Sequence, residues 1–489
     1  MKQLQELLKD VAVEMASPYT TQAIQAVHFD SRLVVSKSLF VALHGTRVDG
    51  HDFITQAIEK GATAVVCQEL PASLVEGVAY IKVKDTTKAL GVIAANFYDH
   101  PSRKLQLVAV TGTNGKTTTV TLLYKLFRSL GYSTGLLSTI QNQINEEVIP
   151  ATHTTPDALQ INQLLAKMVK QGCTHCFMEA SSHAIALNRI AGLYFAGAVF
   201  TNISHDHLDF HGSFANYIQA KKKLFDDLPK QAFALTNIDD KRGEVMLQNT
   251  VARRYTFALH HPAYFKGKLL DNTLQGLLLE INRQPTWFKL LGNFNAYNLL
   301  SVFATAMLLG EEEEEVLRSL SGLSAAPGRF EKRMAPNGIM GIVEYAHTPD
   351  ALENVLHTLQ GVRQDNQQII CVVGCGGDRD KTKRPLMAKV ACQLSHQVIF
   401  TADNPRTEPP EAIIQAMLAG LNPIDKKKVQ VIAERRAAIR AAVTQATPQD
   451  IILIAGKGHE TYQEINGVRH HFDDREEIEK AFAEMAEKK

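Results

Sequence analysis

The chain has 489 residues, of which 45% are hydrophobic and 21% charged, enough for about three domains of roughly 150 residues each. A net charge of +1 excludes the strong field expected of a protein that grips nucleic acid or an anionic membrane surface. Apolar runs all stop short of the ~18 residues that would suggest a bilayer span, so no membrane segment is predicted and the cytoplasm is the expected location.

The opening MKQLQELLKDVAVEMA has the pattern of an amphipathic helix and lacks the apolar core of a signal peptide. Residues 1 to 98 read as a small α/β unit, with strands at 27–31, 39–43, 64–66 and 79–83 and helices at 53–60 and 86–100. Two polar turns, FDSR at 29–32 and HGTRVDGHDF at 44–53, carry Asp30, Ser31, Arg32 and Arg47. Such groups could hold a diphosphate or a sugar, although arginine-bearing loops are more often simply solvated. YDHPSRK at 98–104 reads as a linker, with Pro101 disfavouring helix at His100.

LQLVAVTGTNGKTTT at 105–119 is the stretch on which the rest is organised. An apolar strand runs into a glycine turn and a helix follows. Gly112 and Gly115 would let backbone N–H groups close on phosphate oxygens, Lys116 would add a point charge, and the Thr117 hydroxyl would ligate magnesium. The loop departs from G-x-x-x-x-G-K-[ST] because Val110 stands at the first glycine position. A plain helix N-cap is the competing reading, which the strand, the GKT triplet and the threonines oppose.

The strand at 174–178 ends in Glu179, placed either for a metal or as a helix cap. The strand at 199–203 leads into SHDHLDFHG, whose histidines and aspartates suggest zinc at first sight. Beyond a strand end in a nucleotide-type domain, oxygen-rich magnesium coordination is expected instead, with one histidine assisting. Lys221, Lys222 and Lys223 read as the solvated face of an amphipathic helix. A strand at 233–237 and the turn Asp239-Asp240 follow, and residues 250–290 alternate short β-like pieces suited to a flanking antiparallel patch. Asn295 and Asn298 sit one turn apart at the start of a helix predicted over 296–309. Their amides could meet a purine edge, or Asn295 could cap the helix. The acids at 311–315 suit a helix N-terminus.

Pro327-Gly328-Arg329 marks a second boundary. Beyond it, strands at 341–345, 369–374, 398–402, 429–433 and 451–455 alternate with helices at 348–358, 384–394, 410–421 and 435–446, a second doubly wound parallel sheet. EYAHTPD, GCGGDRDKTKRP, DNPRTE and GKGHETY gather just past its strand ends, where such sheets bind ligands. The charged stretch 475–489 reads as a solvated end. The six cysteines, Cys173-x-x-Cys176 included, are too sparse for a disulfide framework and read as buried thiols.

Together TGTNGKTTT, TTPD, MEASSH, TNISHDHLDFHG, NYIQAK, GNFNAYN, PGRFE, YAHTPDAL, GGDRDKTKRP, DNPRTE and AGKGHE, in this order, resemble the Mur ligase family over essentially the whole chain. The resemblance implies an α/β fold of three domains: 1–98 binding a UDP-muramoyl substrate, 99–327 a P-loop, ATP-binding parallel-sheet domain, and 328–489 a Rossmann-like amino-acid-binding domain. It implies ATP at Gly112, Thr113, Asn114, Gly115, Lys116, Thr117 and Thr118, with Asn295, Asn298 and Glu344 at the nucleoside, and magnesium at Thr117, Glu179, His207 and Lys221. Lys221 aligns with a carbamylated lysine, a carboxylate-like ligand, against the solvated-face reading. Arg329 and His347 would close over the nucleotide and, with Lys116, Glu179, His207 and Lys221, make up the catalytic set. UDP-N-acetylmuramoyl-L-alanyl-D-glutamate would lie at Ser31, Thr46, Arg47, Val48, Thr154, Thr155, Ser181 and Arg189.

DNPR resembles the members that add meso-2,6-diaminopimelate, with Arg406 clamping the distal carboxylate and Arg379, Asp403, Asn404, Pro405, Gly456 and Glu460 completing the pocket. Two positions depart from the family pattern: Glu344 stands where an aspartate is found, and Leu187 where some members have a polar contact. The expected reaction is ATP-driven amide formation through an acyl phosphate, in cytoplasmic peptidoglycan precursor synthesis, by a monomer with small-molecule substrates and no nucleic-acid or membrane partner. The alternatives are a lysine-adding or folylpolyglutamate-type ligase, or a non-catalytic ATP-binding module.

Overall fold

The structure, a computed structural model, describes residues 1–17, 20–45, 48–151 and 153–487. Thr46 and Arg47, two of the expected substrate contacts, lie outside the described residues.

The first sheet orders its strands Val13–Ala16, Ala79–Val83, Ala62–Cys67, Ser38–Val41, Ala26–His28. All neighbours are parallel except the first pair. The opening stretch corrects the helical expectation. A single turn, Leu4–Leu7, buries both leucines. Asp10 then takes a left-handed φ of 62°, and Val13–Ala16 pairs with Ala79–Val83, so sheet pairing overrides the amphipathic pattern. The helix Thr86–Phe97 is capped by Asp85, which accepts from the N–H groups of Thr87 and Lys88. It stops short of residue 100. Lys2 donates to the Asn96 carbonyl at 2.5 Å, and the Asn96 amide donates to the Leu7 and Lys9 carbonyls at 2.9 and 2.7 Å, tying off this end.

The central sheet has eleven strands. Gln106–Thr111 lies between His175–Glu179 and Gly197–Phe200, parallel to both. The register pairs Glu179 with Val110 and Phe200 with Thr111, so the loops after all three strands leave from one edge. Side chains alternate across the sheet. Val108 and Val110 join a core with Leu122, Leu126, Leu299 and Phe303, while Leu107 and Ala109 face Ile161, Leu165 and Met168. The pieces at 250–290 extend this sheet. Arg253–Ala258 adds in parallel, and Phe265–Thr273, Gly276–Ile281 and Gln284–Phe288 continue it, the last two pairings antiparallel.

The third sheet runs Glu331–Met334, Met340–Glu344, Ile451–Ala455, Ile369–Val373, Gln397–Phe400, Val429–Val431, parallel after its first strand. The expected solvated tail is instead part of this core. The helix Asp474–Glu487 buries Ile478, Ala481 and Phe482 against Val343, Ile452 and Ile454. Asp474 and Arg435, both 0% exposed, form a two-pronged ion pair at 2.7 and 2.8 Å. A charge-rich sequence conceals an apolar stripe at helical spacing. All six cysteines are free and buried.

Candidate active site between the second and third sheets

The loop after Gln106–Thr111 requires its glycines. A Cβ on Gly112 would sit 1.9 Å from the Thr201 hydroxyl, and one on Gly115, where φ is +87°, 2.5 Å from the Asn298 amide oxygen. The loop is held from the neighbouring strand end. Thr113 N–H donates to the Asn202 carbonyl at 2.8 Å, Asn114 N–H to the Asn202 side chain at 3.0 Å, and the Thr201 hydroxyl to the Asn114 carbonyl at 2.7 Å. Gly115 caps the helix Lys116–Ser129, which directs its N-terminal N–H groups and positive dipole end into the loop. Lys116 folds over this turn, donating to the Gly112 and Thr113 carbonyls at 2.9 and 2.8 Å.

Lys221 reaches the same turn from the helix Phe214–Asp226, donating to the Gly112 carbonyl at 2.8 Å. The solvated-face reading of the lysine triplet therefore fails for Lys221 and for Lys222, which are 1% and 2% exposed, and holds for Lys223. Burial pushes the Lys221 amine well below the usual lysine range, and the neighbouring Lys116 charge adds to the shift. Glu179 is buried at the end of its strand. One carboxylate oxygen accepts from Thr139 N–H at 2.7 Å, and the other is buried without a protein partner. His207, at a left-handed φ of 53°, lies 3.4 Å from the Asp206 carboxylate, and burial lowers its pKa to about 4. The orphaned Glu179 oxygen, the Thr117 hydroxyl and a neutral imidazole beside a phosphate turn fit a hard divalent cation.

Thr155 and Ser181 adjoin this carboxylate. The Thr155 hydroxyl donates to the Glu179 carbonyl at 2.8 Å and accepts from Ser181 N–H at 3.1 Å, while Arg189 donates to the Thr155 carbonyl at 3.0 Å. Thr154 bonds to Thr139 at 3.1 Å. The helix Ser182–Ala186, capped by Ser181, leads to Asn188, which bonds Asp85 of the first unit at 3.0 Å. The expected muramoyl-peptide residues of the second unit are thus gathered against Glu179. Ser31, bonded to Gln56 at 2.7 Å, and the exposed Val48 belong to the first sheet's own loops.

On the other side a cavity of about 400 Å³ opens between the central and third sheets, lined by Gly115, Asn295, Asn298, Arg329, Glu344 and His347 among others. Asn295 does not cap its helix. Gly292 occupies that position, and the Asn295 amide donates to the Leu291 carbonyl at 2.7 Å while its oxygen accepts from Asn298 at 3.0 Å. The link between the second and third sheets is bent by left-handed φ angles at Gly328 and Phe330, 65° and 51°. Two carboxylates hold it, Glu331 accepting from Gly328 N–H at 2.7 Å and Glu344 from Phe330 N–H at 2.6 Å. Burial raises the Glu344 pKa, with Arg329 opposing. Arg329 donates to the Thr117 hydroxyl at 3.1 Å and stacks over the Tyr345 ring at 4.4 Å.

Tyr345 lies 4.9 Å from His459, next to Glu460. Glu460 accepts from the Asn404 amide at 2.7 Å, and burial, then Asp403, raises its pKa. Arg406, at a left-handed φ of 53°, donates to the Gly377 carbonyl at 2.7 Å. A Cβ on Gly456 would lie 2.4 Å from the Asp403 carboxylate, so a glycine is required there. Arg379 is on the exposed part of the neighbouring loop. Contacts therefore run from Thr117 through Arg329 and Tyr345 to His459, whose chain neighbour Glu460 belongs to the charged cluster.

Three residues escape a sequence reading. Asp350 accepts from Asn114 at 3.1 Å and from the Ser204 hydroxyl at 2.9 Å, bridging the phosphate loop to the third sheet's first helix, where an acid is explained by the dipole alone. Tyr345 supplies the face for Arg329. Lys457, which the sequence shows only as part of the polar GKGHETY loop past a strand end, is fully buried.

A glycine turn and helix N-terminus at the end of a mostly parallel sheet, facing a charged cluster on another sheet across a cleft, fit a nucleotide-using α/β protein of several domains. Residues 23–98 match the Mur ligase family catalytic domain, 110–306 the Mur ligase middle domain and 328–458 the Mur ligase glutamate ligase domain. The chain belongs to the Mur ligase family. It is 58% identical over 476 residues to the UDP-N-acetylmuramoyl-L-alanyl-D-glutamate–2,6-diaminopimelate ligase of Cytophaga hutchinsonii, covering 97% of each chain. It is 52% identical over 480 residues to the protein of that name from Bacteroides fragilis, covering 98% of this chain and 99% of the relative. A solved structure of a ligase of the same name superposes with a TM-score of 0.71 at 34% identity, covering 99% of each chain.

Proposed function

We propose that the chain is an ATP-dependent amide ligase joining meso-2,6-diaminopimelate to the D-glutamate side-chain carboxylate of UDP-N-acetylmuramoyl-L-alanyl-D-glutamate, in cytoplasmic peptidoglycan precursor synthesis. The observation that carries this reading is the path of contacts from Thr117 through Arg329 and Tyr345 to His459, next in the chain to the Glu460–Asn404 cluster. In this reading residues 1–98 take the UDP-muramoyl end through Ser31, Thr46, Arg47 and Val48, residues 99–327 the nucleotide, and residues 328–489 the amino acid. The protein acts as a monomer on small molecules.

ATP phosphates lie in the turn 112–118, with the nucleoside in the cavity at Asn295, Asn298 and Glu344. Lys116 exchanges the carbonyls of its own turn for phosphate oxygens. Thr117, Glu179, His207 and Lys221 would hold magnesium, which would supply charge neutralisation at the phosphates. Lys221 takes this role as its carbamate. Its buried amine, held well below the usual lysine range, attacks carbon dioxide as the free base, forming an N–C bond and releasing a proton. The substrate carboxylate, oriented by Thr154, Thr155, Ser181 and Arg189, attacks the γ-phosphorus, and ADP leaves. The diaminopimelate amine then attacks the acyl carbon of the acyl phosphate, losing a proton as phosphate departs. Positioning and charge neutralisation do the chemistry, and no protein nucleophile is needed. Arg329 and His347 close the cleft about the hinge at 327–329, excluding water from the acyl phosphate.

The test is phosphate release with ATP, UDP-muramoyl-dipeptide and a panel of amino acids. Release that requires diaminopimelate is expected, and Arg406→Ala should raise its KM by about 100-fold with the ATP KM little changed, because a bidentate charged contact is lost. Equal rates with L-lysine, or an Arg406→Ala variant with unaltered preference, would refute the amino-acid assignment.

A further inference from the structure

Lys457 is 0% exposed, and its surroundings account for all three of its N–H groups. It donates to the Asn404 side-chain oxygen at 3.2 Å, to the Glu460 carboxylate at 3.1 Å and to the Tyr462 carbonyl. Each of these partners belongs to the amino-acid cluster or to the strand beside it. The ammonium is not aimed at the phosphate turn, so the mechanism above leaves it unused.

The geometry fixes more than a packing contact. The Asn404 oxygen also accepts from Glu464 N–H at 2.9 Å, so both of its acceptor positions are filled, and the amide nitrogen is turned onto Glu460 at 2.7 Å. Glu460 thereby receives two donors on the same carboxylate oxygen, Oε2, from Lys457 and Asn404. Asp403, the like charge beside it, is fixed by its own Asn404 N–H at 2.6 Å and by the absence of a side chain on Gly456. Lys457 is the cation that sits between this acidic pair's scaffold and the strand Tyr462–Ile465, next to Arg406, which pairs with Ile465.

We propose that Lys457 is a positioning residue for the amino-acid substrate. It holds Asn404 and, with it, the Glu460 carboxylate, whose Oε1 is the fixed acceptor for the ammonium of a zwitterionic distal centre, while Arg406 faces the carboxylate of that centre. The inference rests on the function proposed above and deepens it. Recognition of a zwitterion needs acceptor and donor groups held at a set separation, and a buried ammonium with three acceptors supplies that rigidity where a flexible surface lysine would not.

The test uses the full chain as wild type and as Lys457→Met, Lys457→Gln and Lys457→Arg, with phosphate release measured against diaminopimelate, ATP and UDP-muramoyl-dipeptide in turn. Loss of the charged bonds should raise the diaminopimelate KM at least ~10-fold in the Met variant, leaving the other two KM values and kcat at saturation within about 2-fold. The Arg variant, which keeps charge and donors, should recover most of the loss. If the Met variant does not fold, the Gln variant, which retains one donor pair, is read in the same way. An unchanged diaminopimelate KM in both, or a parallel rise of all three KM values that Arg does not rescue, would overturn the inference. A wild type that ignores diaminopimelate would defeat the proposed function and this inference with it, whereas an active wild type with an indifferent Lys457→Met variant defeats the inference alone.

Discussion

Replacing Asp474 by alanine would leave the Arg435 guanidinium in the interior without its carboxylate. Both side chains are 0% exposed, joined at 2.7 and 2.8 Å. Removing one partner of a buried pair costs about 3–5 kcal/mol, because the remaining charge stays desolvated. Arg435 would keep the Ala455 and Ala402 carbonyls, at 3.0 and 3.4 Å, which points to the lower end of that range. About 3 kcal/mol corresponds to a roughly 100-fold increase in local opening. Amide hydrogen exchange on peptides from the helix Asp474–Glu487 would read this directly. The same two carbonyls precede Asp403 and Gly456, so diaminopimelate affinity should weaken while nucleotide binding holds. An Arg435→Met/Asp474→Leu double variant should regain part of the loss, since an apolar pair leaves no stranded charge. Exchange in Asp474→Ala within about 0.5 kcal/mol of wild type would refute the reasoning, that being the spread of an ordinary surface change.

Other outcomes follow from the site and the core. Gly115→Ala forces a side chain into a left-handed φ of +87° and against the Asn298 oxygen at 2.5 Å. Strain of about 1–3 kcal/mol should weaken nucleotide binding by roughly 10-fold or more, measured by titration calorimetry, and an unaltered affinity would argue that the turn does not carry the phosphates. His175, packed at 4.7 Å from Phe127 and 4.6 Å from Tyr132, is held to a pKa of about 4 by burial. Its folded pKa lies below the unfolded value of about 6.5, so the unfolded chain binds the extra proton between these limits. Stability should therefore fall as pH drops from about 6.5 to 4, by up to about 3 kcal/mol from this residue, then level off. His175→Phe should flatten that part of a urea-midpoint profile, and an identical slope in the variant would reject the assignment.

Parallel sheets are legible in the sequence alone, since apolar runs such as 107–110, 369–373 and 451–455 are bounded by turn residues and buried on both faces. The sequence also marked out the turn at 112–116, because glycines at 112 and 115 and a lysine between an apolar strand and a helix are the pattern of an expected phosphate site. Tertiary structure decided what depends on neighbours distant in the chain. MKQLQELLKDVAVEMA carries a helical pattern, yet pairing with Ala79–Val83 makes Val13–Ala16 a strand. Arg475 and the acids after it look solvated until Ile478 and Phe482 find the third sheet. Asp350 and Lys457 gain their meaning only from Asn114, 236 positions away, and Asn404, 53 positions away. Local patterning fixes which surface of an element is apolar, whereas the partner of a buried charge is chosen by folding, because only the assembled interior removes the water that would otherwise satisfy it.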